Sequence, residues 1–349
     1  MTNQTEPSSP FLRACRRLPT ERPPIWLMRQ AGRYMSEYRA IRAKHTMLEV
    51  IGTPELAAEV TLQPIRKFGF DAAIIFADIL PPLIGMGIKL DFVKGEGPQI
   101  DNPLSNNDAI DRISTPLAEE TMLAQTLAAI SLVKKELEPL GVPLIGFAGA
   151  PFTLASYAVE GGSSKSYAKV KALMFREPAA WERLMNKLVT VQADYLLKQV
   201  KAGADALQIF DSWAGVLTQQ DYLRYIQPYN KTLFAALKPA GVPVINFSTG
   251  TSALLPDVAD CGGDVIGVDS QMPLDWCWQQ IGHNRAIQGN LDPVALFAPW
   301  PELQARVDDI LCRANGRPGH IFNLGHGILP DTPIENVQRL VDYVKNKIA

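Results

Sequence analysis

The sequence predicts an α/β chain closed into a single (β/α)8 TIM barrel, and three observations predict it. Eight short apolar runs recur along the 349 residues. Most are separated by a stretch of helical periodicity that ends in glycine, and strands alternating with helices make a parallel sheet. Most of the runs are apolar at successive positions, as in strands covered on both faces, with 285–288 the weakest. Eight such units in a chain of this length fit a barrel. An open doubly wound sheet is the competing arrangement, and the absence of GxGxxG after the first run weakens its dinucleotide-binding form.

In chain order, residues 1–10 read as a polar, disordered tail ahead of one barrel domain spanning 11–349. Residues 11–18 form a short basic helix that Pro19 and Pro23-Pro24 stop. Residues 25–28 are the first strand, and 36–50 read as helix with Ser36 as cap. Thr53-Pro54-Glu55 starts a helix by the pattern of cap, proline and acid, running to about Phe68 with a kink at Pro64. Residues 72–76 are the second strand. The long polar stretch 81–111 is a lid or an insertion. Residues 119–137 are a helix, and 143–147 the third strand. Residues 178–200 are a helix striped by Leu184, Leu188, Val191 and Tyr195, with a strand at 206–210. Residues 222–237 are a helix, followed by strands at 242–246, 264–268 and 285–288. A helical stripe at 303–311 precedes the last strand, 320–323, and Val337, Leu340, Val341 and Val344 stripe the final helix.

Composition narrows the function. A net charge of -2 excludes the basic footprint of a nucleic-acid-binding domain, so any basic socket is local. The four cysteines, Cys15, Cys261, Cys277 and Cys312, form no CxxC and suggest neither zinc site nor disulfide framework, in keeping with a reduced compartment. The N-terminal residues lack the apolar core of a secretory signal, and no apolar run approaches the ~18 residues of a membrane span. A cytoplasmic protein is expected.

Barrel chemistry sits just beyond the C-terminal ends of the strands. After the first run come Arg29 and Arg33, flanking Gln30-Ala31-Gly32. Two guanidinium forks there form a socket for a polyanion, or else a solvated helix start. The second run ends at Asp78, a carboxylate in a dry cavity or a cap for the next segment. Tyr157 follows Thr153 by four residues on one helix face, toward core or cleft. Ser212 follows the fourth run and also suits a cap. His326, between two glycines after the eighth, suits a turn or a ligand brought close to the backbone. Gly161-Gly162-Ser163-Ser164 reads as a flexible loop, lacking the lysine of a phosphate-binding loop.

Taken together, these segments resemble the uroporphyrinogen decarboxylase family. The resemblance rests on Met28-Arg29-Gln30-Ala31-Gly32-Arg33-Tyr34, Ile75-Phe76-Ala77-Asp78-Ile79-Leu80, Gly149-Ala150-Pro151-Phe152-Thr153-Leu154 with Tyr157, and Phe210-Asp211-Ser212-Trp213-Ala214-Gly215. It extends to Gln288-Gly289-Asn290-Leu291-Asp292-Pro293 and Asn323-Leu324-Gly325-His326-Gly327-Ile328. These cover nearly the whole chain in the family's order. Ser36, Ala77 and Asp269-Ser270 depart from the common pattern, and 81–87 is shorter than in many members.

The resemblance implies a (β/α)8 barrel, a homodimer, and a carboxy-lyase of tetrapyrrole biosynthesis, toward haem or chlorophyll, that removes four acetate carboxylates from uroporphyrinogen III. The product is coproporphyrinogen III, formed without metal or organic cofactor. It implies that Asp78 accepts pyrrole N–H groups and stabilises a ring cation. Arg29 and Arg33 would hold substrate carboxylates, with Arg42 a weaker candidate. Backbone contacts would come from Gln30, Ala31 and Gly32, and further carboxylate contacts from Tyr157, Ser212 and His326. Asp78, Arg29 and His326 form the implied catalytic set, with the proton donor open between His326 and a bound water, since Arg29 is too basic to be an easy acid. The alternatives are a corrinoid-linked zinc methyltransferase of the same fold family and a non-catalytic tetrapyrrole carrier. The methyltransferase needs a His-x-Cys ligand pair, and none of His45, His283, His320 or His326 has a cysteine two residues on.

Overall fold

The structure, a computed structural model, describes residues 7, 9–93 and 97–347. Among the described residues nine strands form in chain order: β1 (Ala73–Ile74), β2 (Leu90–Val93), β3 (Gly97–Ile100), β4 (Leu144–Gly149), β5 (Ala206–Asp211), β6 (Val244–Ser248), β7 (Val265–Gly267), β8 (Ala286–Leu291) and β9 (His320–Leu324). Seven of them make one parallel sheet in the order β1-β4-β5-β6-β7-β8-β9. The expected first strand closes the ring. Ile25 bridges Phe322 of β9 in parallel, with bonds from the Trp26 N–H to the Phe322 carbonyl (3.3 Å) and from the Phe322 N–H to the Pro24 carbonyl (2.8 Å). On its other side the Asp71 N–H donates to the Ile25 carbonyl (2.9 Å). All eight expected strands are thus in place. The first is reduced to a single bridge because Pro23 and Pro24 lack N–H donors and the chain turns away at Arg29.

The barrel interior is identified by bonds that cross it. Gln208 of β5 accepts from the Gln288 amide of β8 (3.1 Å), and Gln288 accepts from the Trp26 indole (3.0 Å). Strands β5 and β8 are not neighbours, so these side chains meet inside the ring. Phe210, two residues on from Gln208, shares that face and packs edge-on against Phe147 and Phe247, with centroids 5.5 and 5.7 Å away. Three phenylalanines therefore floor the C-terminal mouth.

The helices refine the expectations. Helix Pro54–Phe68 runs unbroken through Pro64 and stops at Gly69, whose φ of 69° is the left-handed cap glycine adopts at little cost. The helix expected over 36–50 is two, Ser36–Arg42 and Met47–Gly52. A capping box between Thr46 and Glu49 starts the second, and Met35, not Ser36, occupies the cap position of the first. The helix expected over 222–237 likewise divides at Ile226 into Gln219–Tyr225 and Gln227–Leu237, where Pro228 removes a donor. Residues 119–137 divide into the turn Ala118–Glu120 and helix Leu123–Leu137. The first helix is Pro10–Cys15; the expected tail lies outside the described residues except for Pro7, Ser9 and Pro10.

Segment 81–111 is a folded insertion. It contains helix Pro81–Gly85, the β2–β3 hairpin and helix Asn107–Arg112. Leu83, Met86, Ile88 and Ile110 bury into a second apolar cluster with Phe152, Trp181 and Leu184. The glycine-rich segment expected to be flexible is held by it: Gly162 bridges Gln99, and the Ile100 N–H donates to the Gly161 carbonyl (3.0 Å). No described helix is long and apolar enough to cross a membrane.

Candidate active site

Just beyond the first strand, Arg29 adopts a φ of 60°, a left-handed conformation uncommon for such a residue. Gln30 fixes the turn. Its N–H donates to the Leu27 carbonyl (2.9 Å), its amide oxygen accepts from the Leu27 N–H (3.2 Å), its amide nitrogen donates to the Ala72 carbonyl (3.1 Å), and its carbonyl accepts from the Tyr34 hydroxyl (2.7 Å). The Gln30 side chain, 1% exposed, serves the scaffold that aims its neighbour. Ala31 and Gly32 are half-buried on the same turn. Arg39 fastens the turn from below, donating to the carbonyls of Arg33 (2.8 Å) and Tyr34 (3.0 Å). Arg42 turns back to the His45 carbonyl (2.6 Å), so the weaker arginine candidate closes the break between two helices.

Arg29 and Arg33 are exposed, and among the described residues neither guanidinium makes an ion pair or hydrogen bond. The Arg29 stem lies along Gly327: a Cβ at 327 would fall 2.7 Å from Arg29 Cγ and 3.0 Å from Nε. The loop after β9, which carries His326, is thereby packed against the arginine turn.

Asp78 lies beyond β1. One carboxylate oxygen accepts from the Leu80 N–H (2.9 Å), the bond that the turn-capping reading expects. Burial raises its carboxyl above the ordinary value, against the opposing pull of the Leu80 N–H and of the Arg29 charge. Tyr157, on helix Pro151–Glu160, is raised by burial and then by the Asp78 charge, with Arg29 opposing. His326 is lowered by burial and then by Arg29, with the Gly327 backbone and Asp269 opposing. Each of these groups feels Arg29. Asp78, Tyr157 and His326, on three separate segments, thus lie within electrostatic reach of the arginine.

Ser212 follows β5, half-buried. Its neighbour Trp213 packs between Tyr157 and Tyr167, 5.9 and 5.4 Å from their centroids. The rim on this side is joined loop to loop. Thr249 donates to the Ser212 carbonyl (2.8 Å), the Gly250 N–H to the Asp269 carboxylate (2.6 Å), and the Asn290 amide to the Asp269 carbonyl (2.8 Å). Residue-type reasoning marked the polar side chains at strand ends and missed this bracing. Asn290, in one of the quoted motifs, was its one visible signal. Also missed was Asp211, a buried carboxylate bonded to Thr153 and Asn230.

The cysteines sit on four separate helices. Burial raises the thiols of Cys15, Cys261 and Cys277, and among the described residues no group of three His, Cys, Asp or Glu side chains could hold a metal ion.

A family model described as uroporphyrinogen decarboxylase (URO-D) matches residues 6–347. The uroporphyrinogen decarboxylase of Chloroflexus aurantiacus is 56% identical over 340 residues, and that of Carboxydothermus hydrogenoformans 53% over 334; each match covers 96% of this chain and 95% of the relative. A solved methyltransferase from Methanosarcina mazei covers 96% of this chain and 97% of its own, with a TM-score of 0.82 at 21% identity, a likeness of fold alone. With one family matched across nearly the whole length, and its motif residues gathered at one barrel mouth, this chain belongs to the uroporphyrinogen decarboxylase family.

Proposed function

We propose that this mouth removes the carboxylates of the four acetate side chains of uroporphyrinogen III, giving coproporphyrinogen III and carbon dioxide. What supports the reading is that Asp78, Tyr157 and His326, from three separate segments, all lie within electrostatic reach of Arg29, in a chain of this family. The reaction needs an electron sink. Protonating a pyrrole carbon beside the acetate-bearing carbon makes a cationic ring that accepts the electrons released with carbon dioxide. The enzyme must favour that cation while holding a substrate rich in carboxylates.

Asp78 is the anion for the task. In its ionised form it accepts the inward-facing pyrrole N–H groups and stabilises the ring cation by preorganised charge. A unit charge at ~4 Å and an effective dielectric near 20 is worth about 4 kcal/mol before desolvation, roughly a thousandfold in rate. Arg29 and Arg33, exposed and without partners among the described residues, take substrate carboxylates, and Tyr157, Ser212 and His326 take others. Burial holds the His326 imidazole low and Arg29 adds to this; carboxylates bound beside Arg29 offset the second effect, so His326 or a bound water supplies the proton. No step of this chemistry calls on a metal or organic cofactor.

Anaerobic incubation with uroporphyrinogen tests the reading: a tetracarboxylate product is expected, and no product with folded protein would reject it. A tetrapyrrole carrier would bind and not turn over. Asp78→Asn is expected to lose about a thousandfold or more in kcat with the fold intact; near-normal turnover would remove Asp78 from the mechanism. The same reading makes the protein a cytoplasmic homodimer, for which light scattering should give twice 38.3 kDa.

A further inference from the structure

We propose that Asp211 is a positioning residue for this cleft: its carboxylate, clamped between Thr153 and Asn230, sets the spacing between the Tyr157 ring and the Ser212 hydroxyl. The proposal rests on the decarboxylase reading and assigns a role to a residue outside the cleft. Asp211 ends β5, is 3% exposed and immediately precedes Ser212. One oxygen accepts from the Thr153 hydroxyl (2.9 Å) and the other from the Asn230 amide (3.4 Å). Thr153 lies four residues before Tyr157 on helix Pro151–Glu160, hence on the same face one turn away. Asn230, on helix Gln227–Leu237, also donates to the Tyr222 hydroxyl (3.5 Å), which meets the Cys261 thiol (3.2 Å). One side chain thus ties the strand carrying Ser212 to the helix carrying Tyr157 and braces both from behind.

The residue type supports a dedicated role. A buried carboxylate is costly unless paired with a cation, and its bonded partners are a hydroxyl and an amide. Its further neighbours Tyr222 and Cys261 are acids held in their neutral forms by burial. Burial accordingly lifts the Asp211 carboxyl to about 6. An apolar residue would fill the space; the carboxylate adds two acceptors directed at two elements.

The test is steady-state kinetics with uroporphyrinogen, alongside quenching of protein fluorescence by uroporphyrin as a binding measure independent of turnover. Contacts made equally to substrate and transition state appear in KM and not in kcat. Asp211→Ala and Thr153→Val are therefore each expected to raise KM and the uroporphyrin Kd about tenfold, with kcat per folded site little changed. The double variant should be no worse than the worse single one. Asp211→Asn should stay within about threefold of wild type, because the Asn230 amide oxygen has no partner and a flipped Asn230 can accept from the new amide. A merely structural role would lower the folded fraction and apparent kcat and leave KM alone. KM and Kd within twofold of wild type in Asp211→Ala, or Asp211→Asn as impaired as Asp211→Ala, would overturn the proposal. A wild-type chain that neither binds uroporphyrin nor turns over would instead sink the functional reading, and this inference with it.

Discussion

Replacing Gly327 with alanine would move Arg29 without altering any charge. A Cβ at that position falls 2.7 Å from Arg29 Cγ and 3.0 Å from Nε, whereas non-bonded carbons settle at about 3.5–4.0 Å. The arginine stem must retreat by about 1 Å or change rotamer. Its backbone cannot follow, because the turn is fixed by the four bonds of Gln30 to Leu27, Ala72 and Tyr34. A misplacement of that size at a group that positions substrate costs on the order of a hundredfold, or about 2.7 kcal/mol in the barrier. The fold should not suffer. Gly327 is absent from the left-handed glycines, so alanine fits its backbone and restricts the unfolded chain, worth about 0.4–1 kcal/mol in favour of folding. Anaerobic kcat/KM should therefore fall about a hundredfold while the melting temperature holds or rises. A folded variant with kcat/KM within twofold of wild type would refute the reasoning, since Arg29 would then be doing nothing that depends on where it points.

Two further measurements bear on other parts of the molecule. Arg29→Ala and Arg33→Ala should weaken binding of an eight-carboxylate porphyrin more than that of a four-carboxylate one, by about 1.5–3 kcal/mol for each charged hydrogen bond lost; equal losses on both ligands would argue against carboxylate roles. The second is acid stability. Burial holds His320 at about 4 against an ordinary 6.5, so between those values the unfolded chain binds a proton that the folded chain refuses. That contribution to stability is full above pH 6.5 and falls with pH, by about 2.5 kcal/mol at pH 4.5. Asp211, raised to about 6, acts with the opposite sign, so the measure is a difference. Denaturant unfolding at pH 7 and 4.5 should show His320→Asn losing about 2.5 kcal/mol less than wild type, and parallel pH dependences would refute the assignment.

What the sequence disclosed and what it withheld divide along a physical line. A strand buried on both faces is a local property, and so is a polar residue stranded at its end. The eight runs and Arg29, Asp78, Tyr157, Ser212 and His326 were therefore readable one segment at a time. Whether they converge depends on contacts between segments far apart in the chain, which no spacing encodes. Gln30 shows the difference. Its place on the arginine turn suggested backbone contacts to a ligand, and said nothing of its side-chain amide, which is tied to Ala72, 42 residues on. Asp211 is the converse case: quoted only as part of a motif, it gains a role once Thr153, 58 residues earlier, is seen to donate to it. The 81–111 insertion was illegible for a third reason. Met86, Ile88, Leu90 and Phe92 alternate as a strand would, but only the first part of the segment carries such a pattern, and nothing local says what its apolar side chains pack on: Leu83, Met86 and Ile110 share a cluster with Phe152, Trp181 and Leu184, which come later in the chain. It follows that substitutions at the strand-end residues should alter chemistry with stability nearly constant. Substitutions at the long-range braces should alter how substrate is held while the chemical step continues, and the KM-against-kcat split at Asp211 discriminates between the two.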